Sequence, residues 1–335
     1  MTKIAVIGAA GYTALELIKI LLRHGEVEIV AVTDLQEGRP HIASIHPSLR
    51  GRLDICVEKL SPAEVAARAD CVFCCLPHGV SASLIPHLLD EGTRVVDFSA
   101  DYRLDSAEVF AAWYNQKHPD PDRLGKVVYG LPELFRPQIP DAPLVANPGC
   151  YPTSAILPLA PLLKSGMIEP RGIIVDSKTG VSGAGRTPRL TSHYPECNES
   201  MCAYNVGRHR HTPEMEQILG TVGGTAVEVV FSPHMVPMDR GILTTTYSQP
   251  IGKLDEEKAL QTIRDFYAEE PFVRVVDHLP GTKDSWGTNF CDITARVVRN
   301  CVLTISCIDN LIKGASGAAV QNFNLMYGYP ETTAL

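Results

Sequence analysis

In the stretch VANPGCYPTSAI, residues 145–156, Cys150 follows a Pro148-Gly149 turn and opens a run with helical spacing. A structural cysteine is ordinarily a small hydrophobe inside an apolar run; here a strand-like PLVA precedes it and YPTSAILPLAPLL follows. At the first turn of a helix the dipole favours thiolate, and main-chain N–H groups there can hold an oxyanion. The chemistry suggested is nucleophilic attack on a carbonyl. A thiolate needs a proton-handling partner, and NVGRHRHTPE supplies His209 and His211 with Arg208 and Arg210 between them. Read as a strand, that stretch sends positions two apart to the same side, so both imidazoles could enter one pocket. The plain alternative is a solvated polar loop. An H-x-H pair could also ligate a metal, but no third ligand suggests itself, and none is expected.

Two further stretches look shaped for a ligand. TGVSGAGRTP sets Gly180, Gly183 and Gly185 around Ser182 and Arg186, where main chain can approach something flat or anionic. DFSADYRLD ends a strand with Ser99 and Arg103, at the carboxyl edge where open parallel sheets bind ligands. A lone arginine would read as half of a salt bridge. Two beside a thiol suggest a substrate carrying carboxylate and phosphate, and Asn147 of the NPGC run joins Ser99, Arg103 and Arg186 as a candidate contact.

The run GAAGYTA, directly after the first strand, places Gly8, Gly11 and Ala14 at G-x-x-G-x-x-A spacing, with Ala10, Tyr12 and Thr13 between them. Such a turn brings main-chain amides and a helix N-terminus to a pyrophosphate. At the end of the second strand, VTDLQEGRP offers Asp34 to an adenosine ribose, which favours NAD, and Arg39 to a 2′-phosphate, which favours NADP. The residues leave that choice open.

The elements that must position these groups change character at Cys150. Before it, KIAVIGA, EIVAVTD, CVFCCLP and RVVDFS read as strands alternating with helical runs, including SPAEVAARA with Ser61 as its cap; this predicts a parallel sheet with right-handed crossovers. After it, GIIVDSKTG, AVEVVFSPHMVPM, GILTTTYSQPI, FVRVVDHLP and NFCDITARVV are β-branched strands, several too close for a crossover helix. They predict an α+β domain with a mostly antiparallel sheet. The expected organisation is a dinucleotide-binding domain over 1–149, a catalytic and substrate domain over 150–310, and a C-terminal helix over 311–335 that returns to the first domain with small residues on one face.

At 335 residues, 45% hydrophobic and 20% charged, the chain has room for two buried cores. A net charge of −8 with no long Lys/Arg run argues against nucleic acid. No stretch reaches the ~18 apolar residues of a membrane span, and there is no leader-like N-terminus, so no membrane association and a cytoplasmic location are expected. The ten cysteines read as reduced thiols.

GAAGYTALEL, LPHGVS, DFSADYRL, NPGCYPT, GVSGAGR, HRHTPE, GTNFCDI and NLIKGASGAAVQN occur in that order along nearly the whole chain. Together they closely resemble the N-acetyl-γ-glutamyl-phosphate reductases of arginine biosynthesis, within the wider aspartate-semialdehyde dehydrogenase and glyceraldehyde-3-phosphate dehydrogenase-like superfamily. The resemblance implies NADPH-dependent reduction of an acyl phosphate to an aldehyde through a cysteine thioester. A homo-oligomer (dimer or tetramer) is expected, with the apolar antiparallel sheet of the second domain as a candidate dimer face. It implies Cys150 as nucleophile and one histidine of HRH as acid/base, with His211 preferred to His209. Arg103 or Arg186 would hold substrate anions, Ser182 and Gly183 would lie near the nicotinamide, and Asn289 would touch cofactor or substrate. Ala10 and Ala14 replace the Ser and Gly common in the family's loop. Leu35 stands where many members carry Arg, which weakens the implied preference for NADP. The rival readings are an aspartyl- or aminoadipate-type acyl-phosphate reductase, a cysteine hydrolase or acyltransferase, and a non-catalytic nucleotide sensor.

Overall fold

The computed structural model describes residues 1–35 and 38–335. It divides into two compact units, one formed by Met1–Pro148 with Ala315–Leu335 and the other by Gly149–Gly314.

The first unit is built on seven strands: β1 (Thr2–Ile7), β2 (Val27–Thr33), β3 (Val57–Glu58), β4 (Cys71–Cys74), β5 (Arg94–Asp97), β6 (Val128–Tyr129) and β7 (Leu144–Ala146). They pair in parallel in the order β3-β2-β1-β4-β5-β7-β6. This is the doubly wound Rossmann-type arrangement, whose order reverses between β1 and β4 and opens a ligand crevice at their carboxyl ends. Both faces of such a sheet are covered, so Ile4, Ala5, Val6, Val72, Phe73 and Val96 are all fully buried. The helix Tyr12–Leu21 buries Ala14, Leu17, Ile18 and Leu21, a stripe at helical spacing. Ser61 caps Pro62–Ala66 through a reciprocal pair with Glu64.

The C-terminal helix Gly317–Met326 belongs to this unit and is buried on nearly every side. Several of its polar side chains bond within the unit. Asn324 Oδ1 meets His24 Nε2 at 2.7 Å, and Asn322 Nδ2 donates to Gly130 O at 2.8 Å. A single π turn, Ile312–Ser316, precedes it.

The second unit carries β8 (Ile173–Thr179), β9 (Cys202–Ala203), β10 (Val229–Met235), β11 (Ile242–Ser248), β12 (Val273–Val275), β13 (Cys291–Val298) and β14 (Cys301–Ile308), in the order β12-β13-β14-β11-β8-β10-β9. β8 runs parallel to β10, and β12 to β13; the other four pairings are antiparallel. The sheet is mixed with an antiparallel majority. Against it packs the helix Cys150–Lys164, buried from Tyr151 through Leu163. With no polar face to display, that helix is a core element. Hydroxyls tie it to the sheet: Ser154 Oγ meets Thr244 Oγ1 at 2.7 Å, and Thr244 meets Ser177 Oγ at 2.8 Å.

The HRH stretch is not a strand. Asn205 (φ 49°) and Gly207 (φ 71°) bend the chain into turns, and Pro213 at the start of the helix Thr212–Gly223 leaves His211 in the preceding position. The expected period-two alternation therefore does not apply. Turns bring the two rings together instead.

Candidate active site

In the second unit, Gly149 takes an extended conformation (φ −71°, ψ 150°) and Cys150 begins the helix, as the Pro-Gly turn predicts. The Gly149 carbonyl accepts from Thr153 N at 2.9 Å and from Thr153 Oγ1 at 3.0 Å. Its N–H donates to Glu214 Oε1 at 2.8 Å. Glu214 is almost fully buried and lies in the first turn of the helix that follows His211. One carboxylate thus joins the start of the Cys150 helix to the start of the histidine-bearing one. It also removes Gly149 N–H from the expected oxyanion donors.

Tyr151 packs edge-on against both imidazoles, its ring centroid 5.4 Å from His209 and 5.9 Å from His211. The two imidazoles are themselves 4.8 Å apart. Phe231 at 5.1 Å and Tyr204 at 5.6 Å complete an aromatic enclosure of His209, and the Tyr151 and Tyr204 hydroxyls meet at 2.8 Å. Nδ1 of His209 accepts from the His211 main-chain N–H at 3.1 Å. An accepting Nδ1 carries no proton, so a neutral His209 bears its proton on Nε2. Desolvation, followed by the charge of Arg210, pushes the His209 pKa down to about 4. His209 is therefore a neutral imidazole that braces the turn presenting His211.

Three loops converge on Asp309 and Asn310. The fully buried Asp309 carboxylate accepts from Leu311 N (2.8 Å), Ile312 N (3.0 Å), Gly287 N (2.7 Å) and Arg240 Nη2 (3.2 Å). Asn310 accepts from Gly241 N at 2.7 Å and donates to Ser182 Oγ at 3.0 Å. Ser182 in turn donates to Asp239 O at 2.6 Å. A Cβ on Gly180 would lie 2.4 Å from Asp239 O, so only glycine lets these strands of main chain meet. Gly183 sits beside Thr179 and Asn310, Asn289 is buried in the β12–β13 connection, and Arg186 is exposed.

The first unit holds the other candidates. Gly8 adopts φ 81°, and a Cβ there would stand 2.4 Å from Cys75 O, pressing the loop onto the end of β4 at the switch point. Gly8 N and Ala9 N donate to Thr33 O, and Ala10 N donates to Asp34 Oδ2 at 3.0 Å. These amides shape the loop, and the first turn of the helix beginning at Tyr12 is the candidate end for an anion. A nicotinamide dinucleotide fits this cradle. Asp34 Oδ1 also accepts from Leu35 N at 2.7 Å, which makes its carboxylate a brace for the loop. Arg39 pairs with Glu58, as does Arg68 at 2.7 Å, beside a cavity of about 510 Å³ that Lys59 and Glu64 also line.

Ser99 and Asn147 are turned inward. Ser99 Oγ donates to Asp97 Oδ2 at 2.6 Å, while Asn147 Nδ2 donates to Ala315 O at 3.0 Å. The buried Arg103 gives Nε to Asn147 O and Nη2 to Phe98 O, each at 2.8 Å. These three hold the ends of β5 and β7. Glu214, Asp309 and Asn310 were not singled out from sequence. Glu214 could have been, because HRHTPE places a carboxylate three residues after His211.

The class follows from the comparisons. Residues 3–142 match the family model "Semialdehyde dehydrogenase, NAD binding domain", and residues 150–310 match "Semialdehyde dehydrogenase, dimerisation domain". Solved structures of the same fold include aspartate semialdehyde dehydrogenase II from Vibrio cholerae, complexed with ASA (TM-score 0.75, 15% identity, 98% of each chain covered). Another is aspartate semialdehyde dehydrogenase with NADP from Candida albicans (TM-score 0.72, 16% identity, 98% of each chain).

Among curated relatives, the N-acetyl-gamma-glutamyl-phosphate reductase of Rhodopirellula baltica is 52% identical over 99% of this chain and 98% of that protein. That of Citrifermentans bemidjiense is 50% identical over 100% and 98%. The chain belongs to the N-acetyl-gamma-glutamyl-phosphate reductase family.

Proposed function

We infer that this chain reduces N-acetyl-γ-glutamyl phosphate to N-acetylglutamate semialdehyde, releasing phosphate, as a step of arginine biosynthesis. Relatives at about half identity over the full length support the substrate, each carrying that reaction in its name. The observation that carries the mechanism is the placement of Cys150 at the start of a helix, tied through Glu214 to the segment that presents His211.

Cys150 thiolate attacks the acyl carbonyl. A C–S bond forms, the C–O bond to phosphate breaks, and inorganic phosphate leaves a thioester on Cys150. A bound nicotinamide dinucleotide supplies hydride to that thioester carbon. His211 then gives a proton to the resulting oxyanion and takes it back as the C–S bond breaks, so the aldehyde leaves and the thiolate is restored. His209, held neutral, fixes the His211 main chain and does not itself shuttle the proton.

The dinucleotide is NADPH in this reading. Around the cavity the three cations Arg39, Lys59 and Arg68 outnumber the two carboxylates Glu58 and Glu64, which favours a 2′-phosphate, and both Asp34 oxygens already accept main-chain N–H groups. Ser182, Gly183 and Asn289 serve the nicotinamide side, with Arg186 as the substrate-anion contact. Arg103, Ser99 and Asn147 support the strand ends instead.

The second sheet and the match of residues 150–310 to a dimerisation domain support a homo-oligomer. One face packs on helices, while Ile174 and Val230 on the other are 42% and 58% exposed, with Leu243, Tyr247, Leu303 and Ile305 half-buried beside them. A second copy would cover this face. Among the described residues no disulfide joins any of the ten cysteines and no helix is long and apolar enough to cross a membrane. Together these support a cytoplasmic setting.

The test is Cys150→Ser. It should bind NADPH normally yet lose turnover by orders of magnitude. Near-normal turnover would remove the covalent mechanism.

A further inference from the structure

The π turn before the C-terminal helix reaches the nucleophile. Gly314 N donates to Asp309 O at 2.9 Å, five residues back, which bulges the chain at that point. A Cβ built on Gly314 would stand 2.7 Å from Cys150 Cβ, 3.3 Å from Cys150 Cα and 3.3 Å from Asp309 O. Cys150 Cβ is fixed to a helical backbone and cannot swing aside as the tip of a long side chain can. Neither segment yields easily. The Asp309 carboxylate pins Leu311 N and Ile312 N on one side, Glu214 pins Gly149 N on the other, and Lys313 is fully buried. Isolated π turns are frequent where helices serve a site, and close approach of main chain is what a missing side chain permits.

We propose that Gly314 is a positioning residue for the reaction: its main chain, flush against Cys150, sets where the thiol stands. This rests on reading Cys150 as the nucleophile. Gly314 has no left-handed φ, so alanine meets no backbone strain there, and its effect comes from space alone.

The test is Gly314→Ala in the full-length enzyme, with three readouts. A misplacement approaching 1 Å costs on the order of 10²-fold in rate. The account therefore expects kcat to fall roughly 10- to 100-fold with KM within about threefold. It also expects the iodoacetamide alkylation of Cys150 to change in rate or in its pH midpoint, while the fluorescence-measured Kd for NADPH holds. A folded variant with wild-type kcat, or one with slowed turnover but an unchanged alkylation profile, overturns the proposal.

Should Gly314→Ala fail to fold, the pair Cys150→Gly with Gly314→Ala decides. Removing the Cβ that is struck should restore a cooperative melt near that of Cys150→Gly alone. If the pair also fails to fold, the obstruction lies elsewhere and the proposal falls. That melting comparison does not depend on turnover, so it stays separate from failure of the Cys150→Ser test.

Discussion

Gly149, the residue before Cys150, is connected to Glu214 through its main-chain amide, and that bond ties the start of one helix to the start of the other. Glu214→Ala leaves the Gly149 N–H buried without its acceptor, at a cost of about 1–3 kcal/mol. The expected outcome in chemical denaturation is a lower midpoint for Glu214→Ala, with Glu214→Gln, which keeps an acceptor oxygen, between it and wild type. His209 sets a pH dependence whose sign is fixed by burial. Its folded pKa lies near 4, below the ordinary 6.5, so below pH 6.5 the unfolded chain binds a proton that the folded one refuses. Its contribution is complete above about pH 6.5 and shrinks as pH falls toward 4. The melting-temperature advantage of wild type over His209→Gln should thus narrow steadily between pH 7 and pH 4.5, and widening over that range would contradict the account. The place of Cys150 at a helix start was legible because turn and helix start are neighbours in sequence. Glu214 was not, because its partner lies 65 residues away.

At the scale of elements, the strand–turn–helix around Gly8 was readable for the same reason. Its glycines punctuate an apolar strand and an amphipathic helix without a gap. What spacing could not give was which amides the loop spends on itself: Thr33 O and Asp34 take those of Gly8, Ala9 and Ala10. Gly8→Ala combines an unfavourable φ with a Cβ 2.4 Å from Cys75 O, each of which costs on the order of 1–3 kcal/mol. Differential scanning fluorimetry should show a lower melting temperature and little of the rise that NADPH gives wild type. A full NADPH-dependent rise would mean the loop does not need glycine there. The HRH segment misled in the opposite way. Alternating charge and imidazole imitate a strand, and only the left-handed Asn205 and Gly207 reveal a turn.

For the molecule as a whole, the alternation of strands and helices before Cys150 and the β-branched runs after it foretold one parallel sheet and one mostly antiparallel one. Both are present. The second sheet's exposed face carries the oligomer prediction: Val230→Asp places a charge at the end of the cross-strand row Ile174, Tyr247 and Leu303, and light scattering after gel filtration should register a smaller assembly than wild type. An unchanged mass would move the interface elsewhere. Substrate identity was never legible in packing, because acyl length is read by a few side chains and no periodicity encodes it; relatives of about half identity supply it. The claim beneath all of this is a thioester on one sulfur. Enzyme mixed with N-acetylglutamyl phosphate in the absence of nicotinamide nucleotide, quenched in acid and digested, should yield the Cys150 peptide bearing one N-acetylglutamyl group by mass spectrometry, and NADPH added before the quench should clear it. The acyl group on a different residue, or none at all from enzyme that turns over with NADPH, would contradict the account.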